Sequence, residues 1–172
     1  MDRDVLEKIL ENHMLWLDSD TRKGKKADLR RADLCWANLK GADLKGADLA
    51  GADLFNAELK RANLRFADLR EANLQDANLG RVVLREANLQ GVDLRFTDLT
   101  AADLRGANLR EANLRRADLS GANLQGAIIP PSIRHCWNFH HATFPADVVP
   151  WLILHPKWGD NKDTVRIVGE AS

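Results

Sequence analysis

From residue 27 onward the apolar and polar positions recur with a period of five. Leu29, Leu34, Leu39, Leu44 and Leu49 open a series that runs to Leu124 without an insertion, 20 leucines in phase, and Ile129 occupies a twenty-first position. Two residues before each leucine stands Ala, replaced only by Val82, Val92 and Thr97; between them lies Asp or Asn, apart from Glu58 and Val83. The unit is A-(D/N)-L-x-x. A period of five fits neither regular element. On an α-helix it would advance each leucine by ~140° and wind the apolar positions around the whole surface. On a flat strand it would send alternate leucines to opposite faces. One core results only if the chain bends about a right angle per unit, so that four units close a square coil of 20 residues with Leu and Ala inside. In that geometry small Ala lets facing walls approach, and Asp or Asn is expected at the corner, where its side chain bonds the local backbone.

The flanks read differently. Residues 4–17 place Val5, Leu6, Ile9, Leu10, His13, Met14 and Leu17 at helical spacing, with Asp2 or Asp4 as the N-cap. His13 reads as a packing residue. Residues 18–26 form a polar linker containing Gly24. Pro130-Pro131 is expected to stop the pattern, because proline cannot donate to a ladder. Beyond it come Trp137, Phe139, Phe144, Trp151, Trp158 and a strand-like Val165–Val168. Four of the five Trp lie outside the repeat, as bulky residues sealing open ends would. The domains are therefore 1–26, a capping helix and linker; 27–131, the repeat; and 132–172, a mixed cap and tail whose last residues are loose.

The A-(D/N)-L-x-x run from Ala27 to Gly126, about 58% of the chain, resembles that of the pentapeptide-repeat proteins. The resemblance implies an all-β solenoid, a right-handed quadrilateral parallel β-helix. Its coils number about five, stacked at the ~4.8 Å spacing of strands. It also raises a function, since some members imitate double-stranded DNA and bind type II topoisomerases such as gyrase. Others assemble end to end through an uncapped C-terminal coil; the long tail here makes a monomer the expectation.

Charge bears on that function. The chain carries 25 basic and 25 acidic residues, a balance that favours neither a polyanion binder nor an acidic mimic. Wall by wall the repeat stays within one charge of neutral, so the gyrase reading is disfavoured, and no nucleic-acid partner is expected. The N-terminus lacks the basic and apolar regions of a signal peptide, no run approaches a membrane span, and two cysteines are too few for a disulfide framework. A cytoplasmic protein without membrane association is expected. Cys35 lies in the first coil and Cys136 just beyond the last, roughly 20 Å apart along the axis at ~4.8 Å per coil, too distant to bridge unless the C-terminal segment runs back along the column.

Three features invite chemistry. Lys45, Arg65, Arg85 and Arg105 stack on the wall centred on Leu44, either as a stripe for an anion or acidic partner or as a solvated wall softened by Asp43, Glu86 and Asp103. Trp36, Phe55 and Phe96 share the wall centred on Leu34 with Arg95, Arg115 and Arg116, a composition typical of interface hot spots; alternatively the caps cover Trp36, or Phe55 stacks along the column. Last, His135, Cys136, His140, His141 and His155 raise a zinc or nucleophile reading, although no second paired ligand motif or orienting carboxylate accompanies them; they also suit an aromatic cap. The best overall reading is a non-enzymatic scaffold for an unidentified protein partner, without cofactor. The bulkier Val82, Val92 and Thr97 predict a local bulge or a slightly wider section at residues 80–100.

Overall fold

A computed structural model describes residues 1–18, 23–152, 155 and 164–168. The five-residue period becomes a stack in which each unit lies directly over the one 20 residues earlier. Parallel bridges link Asp28 to Asp48, Asp48 to Asp68, Asp68 to Asn88 and Asn88 to Asn108, and three sister ladders run beside this one. Each rung has the same bonds: the Leu29 N–H donates to the Asp48 carbonyl (2.7 Å), and the Asp48 N–H donates to the Ala27 carbonyl (3.0 Å). Leucines from Leu29 to Leu124 are at most 2% exposed. The interior is thus filled by side chains, and every outward position lies at a wall or a corner.

The corners are the two variable residues, not Asp or Asn as expected. After each leucine the chain turns, with the Ala32 N–H donating to the Leu29 carbonyl (3.1 Å), and the second variable residue takes a positive φ at every turn from Arg31 to Gly126. That is the signature of a type II turn. Asp or Asn sits mid-wall on the ladder, and its Oδ1 accepts the N–H of the first corner residue, as Asp33 does from Cys35 (3.1 Å) and Asn123 from Gln125 (3.0 Å). The side chain does bond the turn, but the residues that bend are two and three positions further on. Asn also donates down the stack, from Asn63 to Asp43 and from Asn73 to Asp53 (2.9 Å each).

No bulge forms at residues 80–100. The ladders pass through Val83, Asn88, Asp93 and Asp98 in unbroken register. The turn bonds at Val92 and Thr97 reach 3.2 and 3.3 Å, and the Thr97 hydroxyl, buried, donates to the Leu74 carbonyl (2.9 Å).

The stack also continues past Pro131, where the repeat was expected to end. A 3-10 turn, Pro131–His135, replaces one wall. There the Ser132 hydroxyl donates to the Ala112 carbonyl (2.6 Å). Then Asp118 pairs with Asn138 and Asn123 with Thr143. Phe139, Ala142 and Phe144, all fully buried, occupy the places that Leu119, Ala122 and Leu124 hold one coil earlier. Strand β1 (Thr143–Pro145) pairs in parallel with β2 (Arg166–Val168), and a short helix, Val149–Leu152, follows β1 in the chain.

At the other end helix α1 (Arg3–Leu17) starts at Asp2, whose carboxylate accepts the N–H groups of Asp4 and Val5. Leu6, Ile9 and Leu10 pack on the first coil. His13 is buried and its Nδ1 accepts the Ala27 N–H (3.1 Å), giving a partner to the first residue of the stack. Gly24 lets the chain double back against the helix: with φ +79°, it sits where a Cβ would fall 2.1 Å from the Asn12 carbonyl oxygen. Trp158, the side chain of Trp151, the middle of the linker and the last four residues lie outside the described residues.

Candidate partner-binding surfaces

The six residues assigned to the wall centred on Leu34 separate into two groups. Trp36 and Phe55 pair edge to face near the first coil, ring centroids 6.1 Å apart. Trp36 is 71% exposed, so α1 does not cover it. Phe96, Arg95, Arg115 and Arg116 gather two coils further along. There they line a shallow groove of about 610 Å³ with Asn113, Arg134, His135, Cys136, Trp137 and His155. None of these lining residues is acidic.

The groove is built by register. His135 follows Arg115, and Cys136 follows Arg116, at the 20-residue spacing of the stack, while the 3-10 turn carries Arg134 alongside. The Arg116 guanidinium lies 5.2 Å from the centroid of Phe96 and 5.9 Å from that of Trp137, within cation–π range of both rings. Arg134 Nε donates to His135 Nε2 (3.0 Å). Arg95 is occupied by the Asp93 carboxylate (2.6 Å) and by Gln75 (2.8 Å). Arg115, Arg116 and Arg134 form no ion pair among the described residues. Arg134, His135 and Trp137 escape a reading that ends the repeat at Pro131. The signal for them was the surviving phase of Asn138-Phe139 and Ala142-Thr143-Phe144.

The basic column is present but uneven. Arg105 is paired with Asp103 (2.6 Å). Arg65 lies over Phe66 (5.2 Å), and the Nε atoms of Arg65 and Arg85 are buried without a hydrogen-bond partner. Of the three carboxylates expected to soften this wall, Asp43, Glu86 and Asp103, only Asp103 forms an ion pair among the described residues.

The histidines fall into two groups: His135 and His155 line the groove with Cys136, whose Sγ lies 3.9 Å from His155 Nε2, and the rings of His140 and His141 lie 5.6 Å apart. His155 Nε2 lies 2.8 Å from the Cys136 carbonyl oxygen and its ring meets Phe139 edge-on at 4.5 Å; His140 Nδ1 contacts the Thr164 hydroxyl (3.1 Å). Among the described residues no three His, Cys, Asp or Glu converge in a way that would hold a metal ion. The cysteines form no disulfide. Burial, with Asp53 and Asp33 beside it, pushes the Cys35 thiol up to about 11. Among the described residues no helix is long and apolar enough to cross a membrane.

A column of A-(D/N)-L-x-x units stacked at 20 residues defines the class, a repeat solenoid with a side-chain-filled interior. The family Pentapeptide repeats (8 copies) matches residues 27–65, 62–100 and 93–129, and the chain belongs to this pentapeptide-repeat family of right-handed β-helices. Among solved structures it is similar to the pentapeptide repeat protein Rfr23 from the cyanobacterium Cyanothece 51142. That match has 25% identity and a TM-score of 0.50, and covers 77% of this chain and 97% of that one. It is also similar to alr5209, a pentapeptide repeat protein from Nostoc Pcc 7120 (35% identity, TM-score 0.39, 70% of this chain and 83% of that one). QnrB1, a plasmid-mediated fluoroquinolone resistance protein, matches at 24% identity and a TM-score of 0.41, over 74% of this chain and 59% of that one. No curated protein matches the sequence.

Proposed function

We propose that this chain is a non-enzymatic interaction scaffold, a rigid column that holds outward side chains at fixed spacing for a protein partner, with α1 and the segment after Pro131 as its end caps. The observation that carries the reading is the groove in which Arg116 is held between Phe96 and Trp137, exposed by 47% and 52% respectively. Exposed aromatics joined to an arginine are the usual anchors of protein interfaces. The filled interior supports a surface function, because substrates of enzymes are ordinarily taken up in concave pockets. A DNA mimic needs an acidic face. Walls within one charge of neutral argue for a different partner, and unchanged gyrase supercoiling at micromolar protein is the expected result.

An affinity capture from the source lysate tests the scaffold. Wild type is run beside Phe96→Ala/Arg116→Ala and beside Trp36→Ala/Phe55→Ala, with bound proteins read by mass spectrometry. The reading predicts a partner lost by the first variant and kept by the second. Capture of the same proteins by all three, or of none by wild type, would count against it.

A further inference from the structure

Resting on the scaffold reading, we propose that the groove between Phe96 and Trp137 recognises an acidic peptide segment of the partner, carboxylate side chains meeting Arg115, Arg116 and Arg134 while an apolar side chain lies on the two rings. The charge of the groove carries this. Where the unit reads Asp-Leu-Arg, the Asp takes the guanidinium: Asp28–Arg30, Asp68–Arg70, Asp93–Arg95 and Asp103–Arg105, each 2.6 Å. Arg115 follows Asn113 instead. Arg116 occupies the corner position, and Arg134 lies on the 3-10 turn. Three guanidinium groups thus line a groove with no acid among its described lining residues, and all three are exposed.

Arg116 is held by two rings, so its donors are oriented before a ligand arrives and little side-chain freedom remains to be lost on binding. A guanidinium matches a carboxylate in two parallel hydrogen bonds. From Phe96 to the level of Cys136 and Trp137 is two coil spacings, ~10 Å, about three residues of an extended strand. The natural ligand is therefore short, with acidic residues flanking one apolar residue.

Nucleic acid would also meet arginine and aromatic rings, but it asks for a basic track along many phosphates. Here the basic surface stops at the groove. The next coil toward the N-terminus on this wall carries Gln75 and Asp76, and the chain as a whole has no basic surplus.

The test is fluorescence anisotropy with the full chain and a labelled seven-residue peptide, four glutamates flanking one phenylalanine. Parallel titrations use the same peptide with glutamines and a single-stranded oligothymidylate of equal charge. The proposal predicts that the glutamate peptide binds, that the glutamine peptide binds at least about tenfold more weakly, and that the oligothymidylate is the weaker of the two anions. Arg115→Gln/Arg116→Gln/Arg134→Gln should lower affinity by about 30-fold, with the thermal midpoint unchanged. Arg30→Gln/Arg70→Gln should leave affinity as it was. If the triple variant fails to fold, Asn113→Asp replaces it; that change supplies Arg115 with a carboxylate and should weaken binding without altering the core. Equal binding of the glutamine peptide, preference for the oligothymidylate, or retention of affinity by the variants would overturn the proposal. If the peptide fails yet Phe96→Ala/Arg116→Ala still loses a partner from lysate, the acidic ligand falls and the scaffold stands.

Discussion

Two grooves of nearly equal size lie on this column, and they differ in what their arginines are doing. The one near the N-terminal end, about 630 Å³, is lined by Asp28, Arg30, Arg31, Ala50, Gly51, Arg70 and Glu71. The one toward the C-terminal end, about 610 Å³, gathers Arg95, Arg115, Arg116 and Arg134 with two aromatic rings and no acid. In the first, Arg30 and Arg70 are bound to the Asp two residues before them. The bond holds the Asp28 carboxyl down at about 2 and the Asp68 carboxyl below the usual carboxylate range. In the second, only Arg95 is held that way. A single atom type separates the two cases: at mid-wall both Asp and Asn accept the corner N–H, but only Asp has a second anionic oxygen for a guanidinium. For an arginine at the first corner position, Asp two residues earlier supplies a carboxylate and Asn does not; Arg116 and Arg134 lie outside that pattern. Among the described residues, carboxylates hold two of the three arginines of the first groove and one of the four in the second.

The comparison assumes that both grooves rest on the same interior, and this is where the largest effect should appear. Leu69→Ala, beneath the first groove, and Leu114→Ala, beneath the second, each remove a fully buried side chain and should each cost about 3–4 kcal/mol in denaturant unfolding. A gap well beyond 1 kcal/mol between them would mean that the grooves differ in scaffold as well as in charge.

Mirror substitutions then exchange the chemistry. Asn113→Asp should reduce acidic-peptide affinity by about three- to fivefold through competition for Arg115. Asp28→Asn/Asp48→Asn/Asp68→Asn, which also removes the Asp48 carboxylate 3.6 Å from Arg30, should release Arg30 and Arg70 and create measurable binding of the same peptide at the first groove. Anisotropy titrations read both, and an unchanged pair of affinities would break the comparison.

The smallest effects are in the pH dependence of unfolding. Asp68 and Asp103 have folded pKa values lowered by their arginines. The stability they contribute is present above the unfolded value near ~3.9 and is lost as pH falls through the folded values. Asp103→Asn should flatten that acid limb slightly in a pH series of thermal melts. His13 acts in a higher window. Desolvation lowers its pKa, with Asp43 opposing and Lys26 assisting, so the folded state keeps it neutral while the unfolded chain takes up a proton below ~6.5. Stability is full above that pH and declines as pH falls below it. His13→Gln retains an acceptor for the Ala27 N–H and should decline less between pH 7.5 and 5.5.

Much of the column is legible in the sequence because its determinants are strictly local. Every inward Leu and Ala follows from a period that only one chain path can bury. The helix of residues 3–17 follows from ordinary apolar spacing. The corner was misplaced because a left-handed turn needs no glycine here: Arg31, Trp36, Phe66 and Glu71 all adopt it, so composition does not mark the bend. The extension beyond Pro131 was missed because Phe139 and Phe144 replace leucine and a 3-10 turn replaces a wall, leaving a phase without its usual letters. That lapse hid half of the C-terminal groove. It also left Phe96, Arg95, Arg115 and Arg116 attached to Trp36 and Phe55, with which they share a wall but not a site. The ion pairs, by contrast, are readable as soon as Asp-Leu-Arg is distinguished from Asn-Leu-Arg.

The most direct measurement is an NMR titration that follows the arginine Nε–Hε resonances as the acidic peptide is added. The account predicts shifts at Arg115, Arg116 and Arg134, with Arg30, Arg70 and Arg105 unmoved in their carboxylate pairs. Shifts of equal size at all arginines, or shifts confined to Arg30 and Arg70, would contradict it.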